Sequence, residues 1–220
     1  MTTEIADLFP SSFQDSELGP IPEGWSLGTI AEIARKGGSA VNPKNMIETT
    51  PYIGLEHMPR CSIALSEWGS AGGVVSNKFR YSAGDILFGK LRPYFHKVGV
   101  APNDGLCSTD ILVIVPRMAE WYGLTLGHLS SNEFIANADA ASEGTKMPRT
   151  NWETMSRYPV VLPPTHLAKA YSDIALACTQ AIAASIHQSR TLAAIRDALL
   201  PKLLSGEIRV SAAEEAVAAA

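Results

Sequence analysis

Short apolar runs punctuated by turn residues fill the first three quarters of the chain, and one long helical stripe fills most of the remainder. Trp25 to Ile30, Tyr52 to Leu55, Asp85 to Phe88, Val98 to Ala101, Ile111 to Val115 and Val160 to Leu162 each read as a strand, because apolar or β-branched residues are bounded there by Gly, Pro, Asn or Ser. Ile30 to Arg35 predicts a short helix stopped by Gly37-Gly38. Between residues 120 and 136, Trp121, Leu124, Leu129, Phe134 and Ile135 recur at helical spacing, with a possible break at Ser130-Ser131-Asn132. Residues 39–51 and the glycine-rich stretch 69–73 predict loops; the latter lacks the spacing of a phosphate-binding loop.

Beyond Pro163-Pro164, with Thr165 as the expected N-cap, no Pro or Gly occurs before Pro201, which allows about nine or ten helical turns. Tyr171, Ile174, Cys178, Ile182, Ser185, Ser189, Leu192, Ile195 and Leu199 recur there about every 3.5 residues, the period of a coiled-coil seam. Ala181, Ala183, Ala184, Ala193 and Ala194 flank the seam and permit close approach of a second helix. The alternative is that the stripe packs on the chain's own globular part. The expected organisation is a flexible acidic leader (1–17), a mixed α/β domain (18–164), a long coiled-coil helix (165–205) and a tail (206–220).

Composition narrows the possible partners. Hydrophobic residues at 46% and charged residues at 18% describe a folded protein, and a net charge of -4 argues mildly against a phosphate-rich partner. The charge is segregated, however. Residues 1–34 carry six acidic side chains and no Lys or Arg, whereas 78–97 carry Lys78, Arg80, Lys90, Arg92 and Lys97 against Asp85 alone. Cys61, Cys107 and Cys178 are scattered, and read as free thiols in a reducing cytoplasm. No apolar run approaches membrane-spanning length.

Catalytic signals are absent. His57, His96, His128, His166 and His187 show no metal-ligand spacing, no nucleophile elbow is present, and no Asp/Asn-Pro-Pro-aromatic run offers a site for methylating a flipped base. A small nuclease would have little to work with. Gly89 to Lys97 instead interleaves Lys90, Arg92 and Lys97 with Tyr94, Phe95 and His96, a set suited to phosphates and base edges. Lys146 and Arg149, with Thr145, Thr150 and Asn151, form a second basic loop. Basic loops of this kind are also often merely solvated.

The order of these segments carries a resemblance. Ile-Pro-Glu-Gly-Trp (21–25), Gly-Asp-Ile-Leu-Phe-Gly-Lys-Leu-Arg-Pro-Tyr (84–94), Cys-Ser-Thr-Asp-Ile-Leu-Val-Ile-Val-Pro (107–116), Gly-Thr-Lys-Met-Pro-Arg-Thr-Asn-Trp (144–152), Val-Val-Leu-Pro-Pro (160–164) and Leu-Leu-Pro-Lys-Leu-Leu-Ser-Gly-Glu-Ile (199–208) resemble the specificity subunits of type I restriction-modification systems. The resemblance implies a target recognition domain that reads half of a bipartite site in double-stranded DNA. It also implies a helix that spaces two such domains and docks methyltransferase (modification) subunits, with a restriction subunit as a further possible partner. No cofactor is expected in this chain; S-adenosylmethionine would sit on the modification subunit.

Members of that family usually carry two recognition domains, and one is visible here. The expectation is therefore a half-subunit that forms a homodimer or pairs with a different half, using Tyr171, Ile174, Cys178, Ile182, Leu192, Ile195 and Leu199; a truncated relic is the other outcome. The expected DNA-facing residues are Lys90, Arg92, Tyr94, Lys97, Thr145, Lys146 and Arg149, with the two loops converging on one groove. Arg60, Lys78 and Arg80, in the less patterned stretches, are the base-edge candidates. Alternatively the family-like loops only shape the domain, or the chain is an assembly protein or inhibitor that does not bind DNA.

Overall fold

The computed structural model describes residues 9–144 and 146–208. In chain order the strands are β1 (Phe13–Gln14), β2 (Ile21–Pro22), β3 (Ser26–Thr29), β4 (Ala34–Lys36), β5 (Ala40–Val41), β6 (Pro51–Ile53) and β7 (Gly69–Ser70). They continue with β8 (Lys78–Tyr81), β9 (Ile86–Gly89), β10 (Val98–Val100), β11 (Gly105–Cys107), β12 (Ile111–Pro116) and β13 (Pro159–Leu162). The α-helices among the described residues are α1 (Ile30–Ile33), α2 (Tyr122–Leu129), α3 (Asn132–Ala140), α4 (Trp152–Ser156) and α5 (Thr165–Leu204). The architecture is mixed α/β, as expected from the strand-and-helix pattern.

By internal contacts the chain divides into two compact units, one through Thr179 and one from Gln180 onward. The first contains an antiparallel sheet in the order β10-β9-β12-β4 and a mixed sheet in the order β5-β8-β11-β6-β7, in which β11 runs parallel to β6. Two smaller pairs, β1-β2 and β13-β3, complete it.

The apolar runs at β9 and β12 do not alternate with polar residues because both of their faces are buried. Ile86, Phe88, Leu112 and Ile114 point into a core closed by α1, α2 and α3, where Ile33, Leu126, Leu129 and Phe134 meet them. Leu87, Ile111 and Val113 point the other way, against Ile53, Leu65, Tyr81 and Cys107. A central strand pair thus welds two cores. Burial in the second core pushes the Cys107 thiol up to about 12, so it stays protonated and unreactive.

Ser131 accepts from the Phe134 amide at 3.2 Å and caps α3, which accounts for the break between α2 and α3. Thr165, expected as a cap, is instead the first residue of α5; the Pro164 carbonyl accepts from the Leu167 and Ala168 amides. Within the first unit, Leu167, Ala168, Ser172 and Thr179 are buried, and Ala175 and Leu176 pack on the main core. Ser172 fixes the helix by accepting from the Gly123 amide (2.9 Å) and donating to the Glu120 carbonyl (2.7 Å). Tyr171 and Ile174, 46% and 49% exposed, lie off that face.

In the second unit Leu192 is 56% exposed, Ile182, Ile195 and Leu199 are half-buried, and α5 runs through Pro201 to Leu204. None of the helices among the described residues is long and apolar enough to cross a membrane.

Gly105 in β11 tests the packing directly. A Cβ there would lie 2.5 Å from both the Pro51 carbonyl oxygen and the Tyr81 hydroxyl oxygen, and the first of these is backbone that cannot rotate away. Gly105→Ala should destabilise the domain by about 2–3 kcal/mol, read as a lowered Tm. An unchanged Tm would mean that β11 and β6 are not in this register.

Candidate nucleic-acid interface

Three loops distant in sequence are stapled together at the carboxyl ends of β6 and β11. The Lys90 amide donates to the Asp110 carbonyl (2.9 Å), the Arg92 amide to the Pro148 carbonyl (2.7 Å) and the Thr150 amide to the Lys90 carbonyl (3.0 Å). Leu91 and Arg149 form a bridge between the two basic loops, and the Cys61 amide ties the stretch after β6 to the His96 carbonyl at 2.9 Å. The structure therefore brings together the loops at Lys90 and Lys146 and adds a third, Leu55 to Cys61.

Within this assembly, Pro93–Phe95 forms a tight 3₁₀ turn flanked by two left-handed residues, Arg92 (φ 51) and His96 (φ 50). Such φ values are costly for residues with a Cβ, and packing must hold them. The His96 Nε2 donates to the Ser130 carbonyl (2.9 Å), which locks one end. The Phe95 ring carries the Arg60 guanidinium 4.0 Å from its centroid, with the Arg92 guanidinium at 5.9 Å and the Tyr94 ring edge-on at 4.7 Å. The Arg92 Nε is buried with no hydrogen-bond partner among the described residues. Leu55, Glu56, Leu91, Arg92, Phe95, Lys97 and Met147 border a depression of about 200 Å³ at this junction.

The predicted cations divide into two groups. Arg60, Arg80, Lys146 and Arg149 are exposed, Tyr94 is 50% exposed, and Lys90 and Arg92 are half-buried at the rim. Arg149 is ion-paired with Asp110 at 3.2 Å, an arrangement that orients the guanidinium rather than removing it, since its side chain stays 47% exposed. The other group is turned inward. Lys97 donates to the Leu55 carbonyl, and burial together with nearby Arg60 lowers its affinity for a proton. Lys78, only 8% exposed, donates to the Ser76 hydroxyl (2.6 Å) and carbonyl (3.3 Å). Thr145 lies outside the described residues.

Sequence patterning did not single out Asp110 or the turn at Leu55–His57 as parts of the site, and it placed Phe95 in the basic loop without its role as the ring under the Arg60 guanidinium. Asp110 stands in the Cys-Ser-Thr-Asp segment, but its partner is 39 residues away and cannot be read from spacing. The His57 Nδ1 accepts from the Gly54 amide (2.9 Å) and is thereby spent on the turn. Among the described residues no group of three or more His, Cys, Asp or Glu is placed to hold a metal ion.

On the seam side of α5, within the first unit, Tyr171, Ile174 and Cys178 face Gly123, Leu126, Gly127 and Ser130 of the α2 region across a shallow groove of about 280 Å³. A Cβ at Gly123 would sit 3.0 Å from Tyr171, so the glycine permits this close approach.

No family model matches the chain. It is 31% identical, over 157 residues, to the Type I restriction enzyme EcoDI specificity subunit of Escherichia coli, an alignment covering 69% of this chain and 34% of that protein. Its fold is similar to the HsdS subunit from Thermoanaerobacter tengcongensis, with TM-score 0.57, 18% identity, and coverage of 87% of this chain and 50% of that one. A chain from a study of complex assembly and conformational transition of the type I R-M system gives TM-score 0.54 at 19% identity, covering 84% of this chain and 49% of that one. The chain thus spans about half, or less, of the length of the relatives it matches. From this sequence match, on a fold of the same kind, the chain belongs to the family of type I restriction-modification specificity subunits.

Proposed function

We propose that this chain reads one half of a bipartite site in duplex DNA and holds modification subunits in place around it. The edge formed by the three stapled loops supports this role. It fixes Arg60, Lys90, Arg92 and Arg149 on a backbone whose left-handed turns are held by hydrogen bonds, with Tyr94 and Lys146 at its rim. Cations with restricted freedom lose less entropy on meeting phosphates than the same cations on mobile loops. The chain itself carries out no chemistry; S-adenosylmethionine and adenine methylation belong to the modification subunit, and a restriction subunit joins where one is encoded. It works in the cytoplasm.

As a half-subunit it completes the target by pairing through α5, with its own copy as the first partner. The seam is nearly symmetric about Ser185, which lies midway between Tyr171 and Leu199 and midway between Cys178 and Leu192. An antiparallel pair centred there places each end of the stripe against its complement, and gives an interrupted palindromic target.

Light scattering on the chain mixed with modification subunits and duplex DNA tests the whole role. Two chains, two modification subunits and one duplex per particle are expected. A chain that binds modification subunits but no duplex, even at low salt, would instead be an assembly protein.

A further inference from the structure

Arg60 is an exposed arginine whose backbone and side chain are both held. On one side of it Met58 is 2% exposed, and its amide donates to the Leu55 carbonyl at 3.2 Å. On the other, Cys61 takes a left-handed conformation (φ 53), and its amide donates to the His96 carbonyl at 2.9 Å. The guanidinium lies over the Phe95 ring, 4.0 Å from its centroid. That ring is itself fixed: the Phe95 amide donates to the Arg92 carbonyl at 2.9 Å, and Tyr94 packs edge-on against the ring at 4.7 Å. Stacking engages one face of the guanidinium and leaves its in-plane N–H donors without a hydrogen bond among the described residues.

The surroundings call for an acceptor. Arg92 approaches the same ring at 5.9 Å, and Arg60 is close enough to Lys97 to oppose its charge. Among the described residues no carboxylate forms an ion pair with Arg60, Arg92 or Lys97. Of the base edges in the major groove, only guanine presents two adjacent acceptors, O6 and N7; adenine offers one acceptor beside a donor, which a fork of donors cannot match. A phosphate would also accept from Arg60, but it needs charge more than alignment, and a guanidinium held flat on a ring supplies alignment. Lys90, Arg92, Lys146 and Arg149 stand in the runs 84–94 and 144–152 that carry the resemblance described above, whereas Arg60 stands outside them. Bases differ between one target and another, and phosphates do not.

We propose that Arg60 is a specificity-determining residue that donates to O6 and N7 of a guanine in the recognised half-site, with Phe95 as the platform that aims its guanidinium. This rests on the DNA-reading role proposed above. Loss of the whole contact should relax discrimination at that base pair by about 10- to 100-fold, and loss of N7 alone should weaken binding about tenfold.

The test uses the chain with its modification subunits and a target selected from randomised duplexes, with each guanine replaced in turn by 7-deazaguanine, which keeps O6 and base pairing but puts a C–H in place of N7. One replacement should weaken binding of the unaltered chain about tenfold, and Arg60→Ala should bind the guanine and 7-deazaguanine duplexes equally. Arg60→Lys keeps the charge and removes the fork, so it should preserve the salt slope while losing most of the discrimination. Phe95→Leu keeps the cation and removes its platform, and should reduce the discrimination to a few-fold. Because Arg60 is exposed, an unchanged Tm for Arg60→Ala separates lost contact from lost fold. Indifference of the unaltered chain to every replacement, or a sensitivity that persists in Arg60→Ala, overturns the proposal while leaving DNA reading in place. Equal weakening of Arg60→Ala on all duplexes with a flattened salt slope does the same, by assigning Arg60 to a phosphate; full discrimination in Phe95→Leu removes the platform. Failure to select any duplex overturns the proposal and the DNA-reading role together.

Discussion

Ile195→Asp should convert a dimer of this chain into monomers, raising the dissociation constant on the order of a thousandfold or more. In the antiparallel register centred on Ser185, Ile195 of one copy meets Ile174 of the other, and two-fold symmetry repeats the contact. Each dimer would then bury two unpaired carboxylates, and the cost of several kcal/mol per buried ion is incurred twice. The nearest charge on the facing helix is Asp173, which adds repulsion; Lys169, the cation within reach, is held by Asp173 at 2.6 Å. Sedimentation equilibrium reads the result directly, and an unchanged mass at micromolar concentration would remove the seam from the interface.

The same register ranks the substitutions. Ile182→Asp should be milder than Ile195→Asp, because Ile182 sits opposite Ser189 and beside Ser185, whose hydroxyls can hydrogen-bond a carboxylate. The register also brings Cys178, which is exposed, against Leu192 of the other copy. Leu192→Cys should therefore give a covalent dimer under mild oxidation. Cross-linking at Cys178 without the new cysteine would point to a parallel pair instead.

The helix and the central strands were legible in the sequence because their patterns are set by burial alone. Ile86 to Gly89 and Ile111 to Pro116 are apolar without alternation, and both faces are covered. The break at Ser131 was legible because a serine cap is a local device. By contrast, Lys78–Tyr81 was not read as a strand, since Lys78 and Arg80 interrupt its apolar pattern; a lysine that satisfies its own ammonium on Ser76 can be buried nonetheless. Gly105–Cys107 and Trp152–Ser156 were too short to show a period. The site was legible as two basic loops, and their contact depends on backbone pairing between Leu91 and Arg149 that no local pattern encodes. Charge counting also could not separate Lys78 and Lys97, which hold the chain to itself, from the cations left facing outward.

That separation predicts the second large effect. Replacing Lys90, Lys146 and Arg149 together by alanine should weaken binding of the assembled complex to every duplex by about 10²- to 10³-fold at moderate salt. Each lost phosphate contact lowers the slope of log affinity against log salt by about 0.9, so the three together should flatten it by between two and three. The fold should survive, because the Arg149–Asp110 pair is partly exposed and contributes at most about 1 kcal/mol. Lys97→Met gives the opposite signature. Its ammonium holds the Leu55 carbonyl, so the substitution should lower the Tm while leaving the salt slope unchanged. A triple variant with an unaltered slope would mean that DNA does not lie on this edge, and a Lys97→Met variant with a flattened slope would show that the inward-turned lysine swings out when the duplex arrives.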